Sequence, residues 1–200
     1  REGVSQSDSS VTAAVAKEIA QGRSSVNLLA KQFGAEVITV DIGMNTDADD
    51  ERILNRKIAY GTDNIAVGAA MSRGQAEAAI NIGKSLAREL CENGADIIIT
   101  GEMGIGNTTT SAAIASVILG IPPERAAGRG AGLDSAGLAR KAEVIRHAVS
   151  VNHPDPGDPI DILSKLGGYD IAGMTGLFLG GKERGVPVVI DGVISCVAAC

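Results

Sequence analysis

Residues 98–110, IITGEMGIGNTTT, set a single acid, Glu102, among glycines at 101, 104 and 106, directly before a segment that reads as a helix from Asn107 or Thr108. Glycines let the backbone turn tightly and approach a ligand closely. The unpaired N–H groups and positive dipole end of a helix favour an anion there. The residue after the last glycine is Asn107, whereas a nucleoside-triphosphate loop carries Lys followed by Ser or Thr at that point, so nothing in the turn would reach a β- or γ-phosphate. The chemistry indicated is the holding of a monophosphate beside a carboxylate. A second glycine turn, GRGAGLD (128–134), also feeds a helix, in which Asp134 or Ser135 can cap the amino end and Lys141 lies about two turns further on. Lys141 supplies the positive charge that the first loop lacks.

These residues need a frame. With 200 residues, 44% hydrophobic and 21% charged, the chain suits one globular α/β unit spanning 1–200 with a substantial core. The only aromatics are Phe33, Tyr60, Tyr169 and Phe178, so the core is expected to consist of Ala, Val, Ile, Leu and closely approached Gly. Apolar spacing predicts two short helices within 10–34, broken at Gly22 and closed by Gly34, and a long helix over 72–92 stopped by Gly94. EVITVDIG (36–43), the run at 97–100 and VPVVIDG (186–192) read as buried strands. Strand, helix, strand and helix in that order predict a right-handed βαβ unit and a Rossmann-like open, mainly parallel sheet with helices on both faces. Asp41, Glu102 and Asp191 then fall at carboxyl ends of strands, where such sheets bind ligands. The segment GGYDIAGMTGLFLGG (167–181) is helical in pattern but glycine-rich. Each interior glycine costs about 0.5 to 1 kcal/mol against Ala, so close helix packing is the expected compensation.

Several functions are disfavoured by the same sequence. A net charge of −6 without a basic run argues against nucleic acid or anionic membranes as partners. No apolar stretch reaches the roughly 18 to 20 residues of a membrane span, no signal-peptide pattern opens the chain, and the reading is cytoplasmic. Cys91, Cys196 and Cys200 form no disulfide framework and are read as small buried residues, although Cys196 and Cys200 share an i,i+4 face. His147 and His153 are read as structural, and the acids at 47, 49, 50 and 51 as a solvated loop lacking the glycine and terminal Glu of a calcium loop. No metal and no cofactor are expected. A dinucleotide-dependent oxidoreductase is disfavoured because no GxGxxG motif follows the first strand.

Taken together, TGEMGIGNTT (100–109), GRGAGLD with ARK (139–141), RKIAYGTDNIA (56–66), NLLAKQFGAEVITVDIG (27–43) and VPVVIDGVIS (186–195) resemble the nicotinate-nucleotide:dimethylbenzimidazole phosphoribosyltransferases, the CobT family of cobalamin nucleotide-loop assembly. The resemblance implies transfer of phosphoribose from nicotinate mononucleotide to a benzimidazole-type base, giving α-ribazole 5′-phosphate and nicotinate, by a homodimer. It implies that Gly104, Ile105, Gly106, Asn107, Thr108, Gly130, Ala131 and Lys141 hold the 5′-phosphate. Glu102 stands beside the ribose as a supporting catalytic acid, and Ser7, Asp8, Ser9 and Met103 are assigned to the acceptor-base pocket. It further implies that the family's general-base glutamate lies beyond Cys200 and that most of its small domain is missing, so the 200 residues read as an inactive fragment. The rival reading is a non-catalytic nucleotide or sugar-phosphate binder of the same fold.

Overall fold

The computed structural model describes residues 2–200. In chain order the elements are α1 (Ser10–Ala20), α2 (Ser25–Phe33), β1 (Val40–Asp41), β2 (Leu54–Asn55), α3 (Arg73–Glu92), β3 (Ile98–Ile99), α4 (Asn107–Ile118), α5 (Pro123–Ala126), α6 (Ser135–Asn152), α7 (Pro159–Leu166), α8 (Tyr169–Arg184), β4 (Val188–Val189) and α9 (Val193–Ala199). Helices α1, α2, α3, α4, α6 and α8 stand where the sequence puts them. The long helix α3 begins at a reciprocal cap: Ser72 Oγ accepts the Gln75 N–H at 3.2 Å, and Gln75 Oε1 accepts the Ser72 N–H at 2.9 Å. Gly94, at φ 93°, turns the chain away after its end.

The sheet is smaller than the sequence predicts. Among the described residues the strands form two separate two-stranded parallel pairs, β1 with β2 and β3 with β4. The expected β1–α3–β3 pairing is absent among them, and the architecture is helix-rich with short parallel strands. A ladder exists only where a neighbour supplies facing N–H and C=O groups. Along 36–43, β2 faces the chain at just Val40 and Asp41, so most of that apolar run has no partner strand. On β3, Ile98 is buried, whereas Ile97 and Ile99 are more than half exposed.

The core lies between helices. Residues from α3, α4, α6, α7, α8 and α9 form one cluster of Ala, Ile, Leu and Met with Tyr169. Val, expected in the core, is missing from the buried set and stands at its edge as Val117, Val149 and Val197. Alanine, the commonest residue of the cluster with isoleucine, allows close helix approach. The tightest seam joins α3 to α8. A Cβ built on Gly176 would overlap the Ile80 carbonyl, and one on Gly83 would overlap that of Gly173. The glycines that weaken α8 as a helix are therefore what bring its backbone against α3. A smaller cluster of Ala16, Met44 and Ile53 seats α1 on the loop between β1 and β2.

Candidate active site

Strands β3 and β4 run parallel, Ile99 beside Val189, and the Thr100 N–H donates to the Val189 carbonyl at 3.2 Å. Both chains then leave the pair at the same end, so Gly101–Glu102 and Asp191–Gly192 line one cleft with Val193, Ile194 and Ser195. Ser195 Oγ accepts the N–H groups of Asp191 and Gly192, which fixes that exit as the start of α9.

From Glu102 the chain makes its glycine turn into α4. Gly106, at φ 96°, takes a left-handed conformation that favours glycine, and the Asn107 N–H donates to the Gly104 carbonyl at 3.1 Å. The Ile105 N–H reaches Thr12 Oγ1 of α1 at 3.4 Å. The amides of Ile105 and Asn107 are thus committed inside the protein. Those of Gly106 and Thr108 have no protein acceptor among the described residues, and they stand at the positive end of α4.

The second glycine turn arrives beside the first. A Cβ on Gly130 would lie 3.1 Å from Thr108 Oγ1 and 3.6 Å from Lys141 Nζ, so both turns and the lysine meet at one point. The amides of Gly130 and Ala131 also have no protein acceptor among the described residues. Asp134 Oδ1 caps α6 by accepting the Gly137 N–H at 2.7 Å, which sets the helix phase. Gly137, Lys141, Ala142, Ile145 and Ala148 consequently form its buried stripe. Lys141 is fully buried (0% exposed). Its ammonium donates to Thr108 Oγ1 at 2.8 Å and the Gly128 carbonyl at 3.1 Å, leaving one of its three donors and its whole charge without an anionic partner among the described residues. Burial pushes its pKa below the usual lysine value.

Glu102 is pushed the other way. Although the residue is exposed, partial desolvation of its carboxyl raises its pKa, the Asn107 hydrogen bond opposes that, and the carboxylates of Asp170 and Asp191 raise it further. Asn107 Nδ2 donates both to Glu102 Oε2 and to Asp170 Oδ2, the latter at 2.8 Å. Asp170, at the start of α8, carries no motif signal and escapes a reading by sequence.

The remaining sequence assignments sort by contact. The segment before α1 crosses both turns, since Gln6 Nε2 donates to the Gly132 carbonyl at 3.0 Å while Thr12 holds the Ile105 amide. Within it the Ser7 N–H donates to Ser5 Oγ, Asp8 Oδ1 accepts the Ser10 N–H at 2.9 Å, and Ser9 is exposed. Met103 is half-buried in the first turn. Asp41 does not join the site: it is buried, paired with Lys57 at 2.8 Å, and accepts the N–H groups of Gly43 and Met44, so it ties down the chain after β1. Cys196 and Cys200, expected to be buried, are exposed because their shared face of α9 points away from the core residues Ile194 and Ala198. The larger groove, of about 310 Å³, lies at the opposite end of α4 around Gly120, Arg146 and Pro154, remote from the glycine turns.

The two glycine turns meet around a buried lysine with a carboxylate alongside, and the chain matches the phosphoribosyltransferase family model over residues 1–200. It belongs to that family. Among curated relatives it is 46% identical over 198 residues to the nicotinate-nucleotide–dimethylbenzimidazole phosphoribosyltransferase of Ruminiclostridium cellulolyticum, covering 99% of this chain and 56% of the relative. It is also 46% identical over 200 residues to that of Roseiflexus castenholzii, covering 100% and 57%. The solved structure of CobT from Thermus thermophilus superposes with a TM-score of 0.94 at 35% identity, over 99% of this chain and 60% of that one. The chain therefore spans a little over half the length of these relatives. Among the described residues no helix is long and apolar enough to cross a membrane.

Proposed function

We propose that the chain is the nucleotide-holding part of an enzyme that moves phosphoribose from nicotinate mononucleotide to 5,6-dimethylbenzimidazole or a related base. The products are α-ribazole 5′-phosphate and nicotinate. The observation that carries this reading is Lys141, a fully buried cation with no carboxylate partner among the described residues, facing two glycine turns with open amides. Burying an uncompensated charge is costly, and a phosphate received there offsets that cost. The phosphate is assigned to Lys141 and to the N–H groups of Gly106, Thr108, Gly130 and Ala131. Gly104, Ile105 and Asn107 shape the turn.

With the phosphate so anchored, C1′ of the ribose is assigned to the neighbourhood of Glu102. A ring nitrogen of the acceptor attacks C1′ from the face opposite the nicotinate, the C1′–N bond breaks with its electron pair going to the pyridine nitrogen, and the acceptor gives up its N–H proton to a base. Inversion turns the β-nucleotide into an α-riboside. Glu102 stabilises the positive charge that develops on the ribose more than it stabilises the ground state. The acceptor is assigned to the side bounded by Met103 and the segment Ser7, Asp8 and Ser9.

The same reading makes the 200 residues one unit of a cytoplasmic homodimer. It also assigns the two strand pairs to one open parallel sheet, a reading supported by the parallel pairing within each pair and by the exposed apolar residues Ile97, Ile99 and Ile190 beside β3 and β4. The direct test is calorimetry of nicotinate mononucleotide with the wild type and Lys141→Ala. A charge-assisted contact is worth about 1.5 to 3 kcal/mol, so the variant is expected to bind at least about tenfold more weakly. Equal affinities would remove Lys141 from the site and the reading with it.

A further inference from the structure

Three carboxylates gather about the cleft: Glu102 after β3 and Asp191 after β4 line it, and Asp170, at the start of α8, is joined to Glu102 through Asn107. Among the described residues none of them has a Lys, Arg or His partner. The group that ties two of them together is neutral. Asn107, nine-tenths buried at the first position of α4, spends one N–H of its amide on Glu102 Oε2 and the other on Asp170 Oδ2. Turning that amide over would set its oxygen against two carboxylate oxygens, so its orientation is fixed by chemistry.

Asp170 is itself held on several sides. Its Oδ1 accepts the Ile171 N–H at 2.9 Å. A Cβ on Gly168 would stand 2.6 Å from Oδ1, and a Cβ on Gly104 would stand 2.5 Å from Oδ2. The carboxylate is thus wedged between the α8 entrance and the glycine turn that carries Glu102, where the positive end of α8 favours its charge. A cation at this point would cancel the negative field. The amide holds the carboxylates close and leaves the field intact, which is the electrostatic requirement for a reaction that builds positive charge on a sugar.

We propose that Asp170 is a positioning residue of the transfer reaction, acting through the Asn107 amide to fix the Glu102 carboxylate against the ribose. The inference rests on the reading of Glu102 given above. A group held this way matters when charge develops and contributes little to ground-state nucleotide binding, so it belongs in kcat rather than KM. Loss of the clamp lets Glu102 swing, and misplacement on the scale of an ångström costs up to about a hundredfold.

The test is a double-mutant cycle in the full-length enzyme, assayed by nicotinate release from nicotinate mononucleotide plus dimethylbenzimidazole. Asp170→Ala is expected to lower kcat roughly ten- to hundredfold, with little change in KM for the nucleotide. In a Glu102→Gln background, the same substitution is expected to cost less than about twofold more, because it acts through a group already disabled. Asp170→Asn keeps the shape and an acceptor for Asn107, and is expected to retain more activity than Asp170→Ala. This isosteric variant carries the same cycle should the alanine variant not fold. Additive losses in the two backgrounds, an effect confined to KM, or no effect of either Asp170 substitution would each overturn the coupling. Wild-type turnover by Glu102→Gln alone would instead remove the assignment of Glu102, and this inference with it.

Discussion

At the scale of single residues, Lys141 sets two opposite pH responses. Burial depresses its pKa, and on the proposed function a bound phosphate would raise it again, so the complex would hold the proton more tightly than the free site. Affinity for nicotinate mononucleotide is then expected to be fully present below the free-state pKa of Lys141 and to be lost as pH rises through it. A second, acidic limb comes from the phosphate, whose second ionisation lies near pKa 6. Folding stability goes the other way. Between the depressed folded pKa and the unfolded value the unfolded chain binds more protons, so the contribution of this lysine to the stability of the free protein rises with pH. Calorimetry across pH, with thermal unfolding of wild type and Lys141→Ala in parallel, checks both. The variant should lose the alkaline limb of binding and keep the acidic one, and an alkaline limb that survives the substitution would mean that another group titrates there. The burial of Lys141 is partly legible in the sequence, since Gly137, Lys141, Ile145 and Ala148 share a helical stripe that an exposed lysine would not join. Asp170 and the bifurcated role of Asn107 are not. They depend on residues 63 positions apart meeting in space, and no spacing rule reports that.

Between elements, the seam of α3 and α8 reverses the usual ranking of helix formers. Propensity alone says that Gly176→Ala stabilises α8 by about 1 kcal/mol. Packing says otherwise, because the added Cβ would overlap the Ile80 carbonyl, a backbone atom that yields only if the helix axes separate. Overpacking of this kind costs about 1 to 3 kcal/mol, so the net expectation is a lower melting temperature. A thermal denaturation series with Gly176→Ala and an exposed control such as Gly74→Ala, whose Cβ meets nothing within 4 Å, separates the two effects. If Gly176→Ala melts at or above wild type, the close seam is not what the glycines serve. Helices are the readable part of this fold because their signals are local: the cap at Ser72, the αL turn at Gly34 and the 3.6-residue stripe of α3. Strand pairing is not readable in the same way. Residues 36–43 carry the composition of a buried strand, but whether a ladder forms depends on which other segment arrives beside it, and β2 supplies only two residues.

Considered as a whole molecule, the chain carries the proposed phosphate-holding groups together, since the two glycine turns, Lys141, Glu102, Asn107 and Asp170 are all present and braced by one helical core. Around the cleft the cover is incomplete. Ile99 is 65% exposed and Val193 62%, and the latter lines the cleft beside Glu102 and Asp191. A site open to water on its apolar side screens the field of its carboxylates, and on the proposed function it leaves the acceptor base walled on one side only. Binding and turnover are therefore expected to separate. The 200 residues alone should bind nicotinate mononucleotide, with the Lys141 dependence described above, because anchoring a phosphate needs only groups that the core already holds in place. They should form α-ribazole phosphate at or near background, whereas a longer protein of the length of the relatives is expected to turn over. General-base assistance to the acceptor by itself accounts for about a hundred- to ten-thousandfold. Measuring nucleotide affinity and nicotinate release on both proteins gives the comparison. Turnover by the 200 residues within a few-fold of the longer protein would show that one of the acids at this cleft, Glu102, Asp170 or Asp191, already takes the acceptor proton, and that the open apolar side is no obstacle to the chemistry.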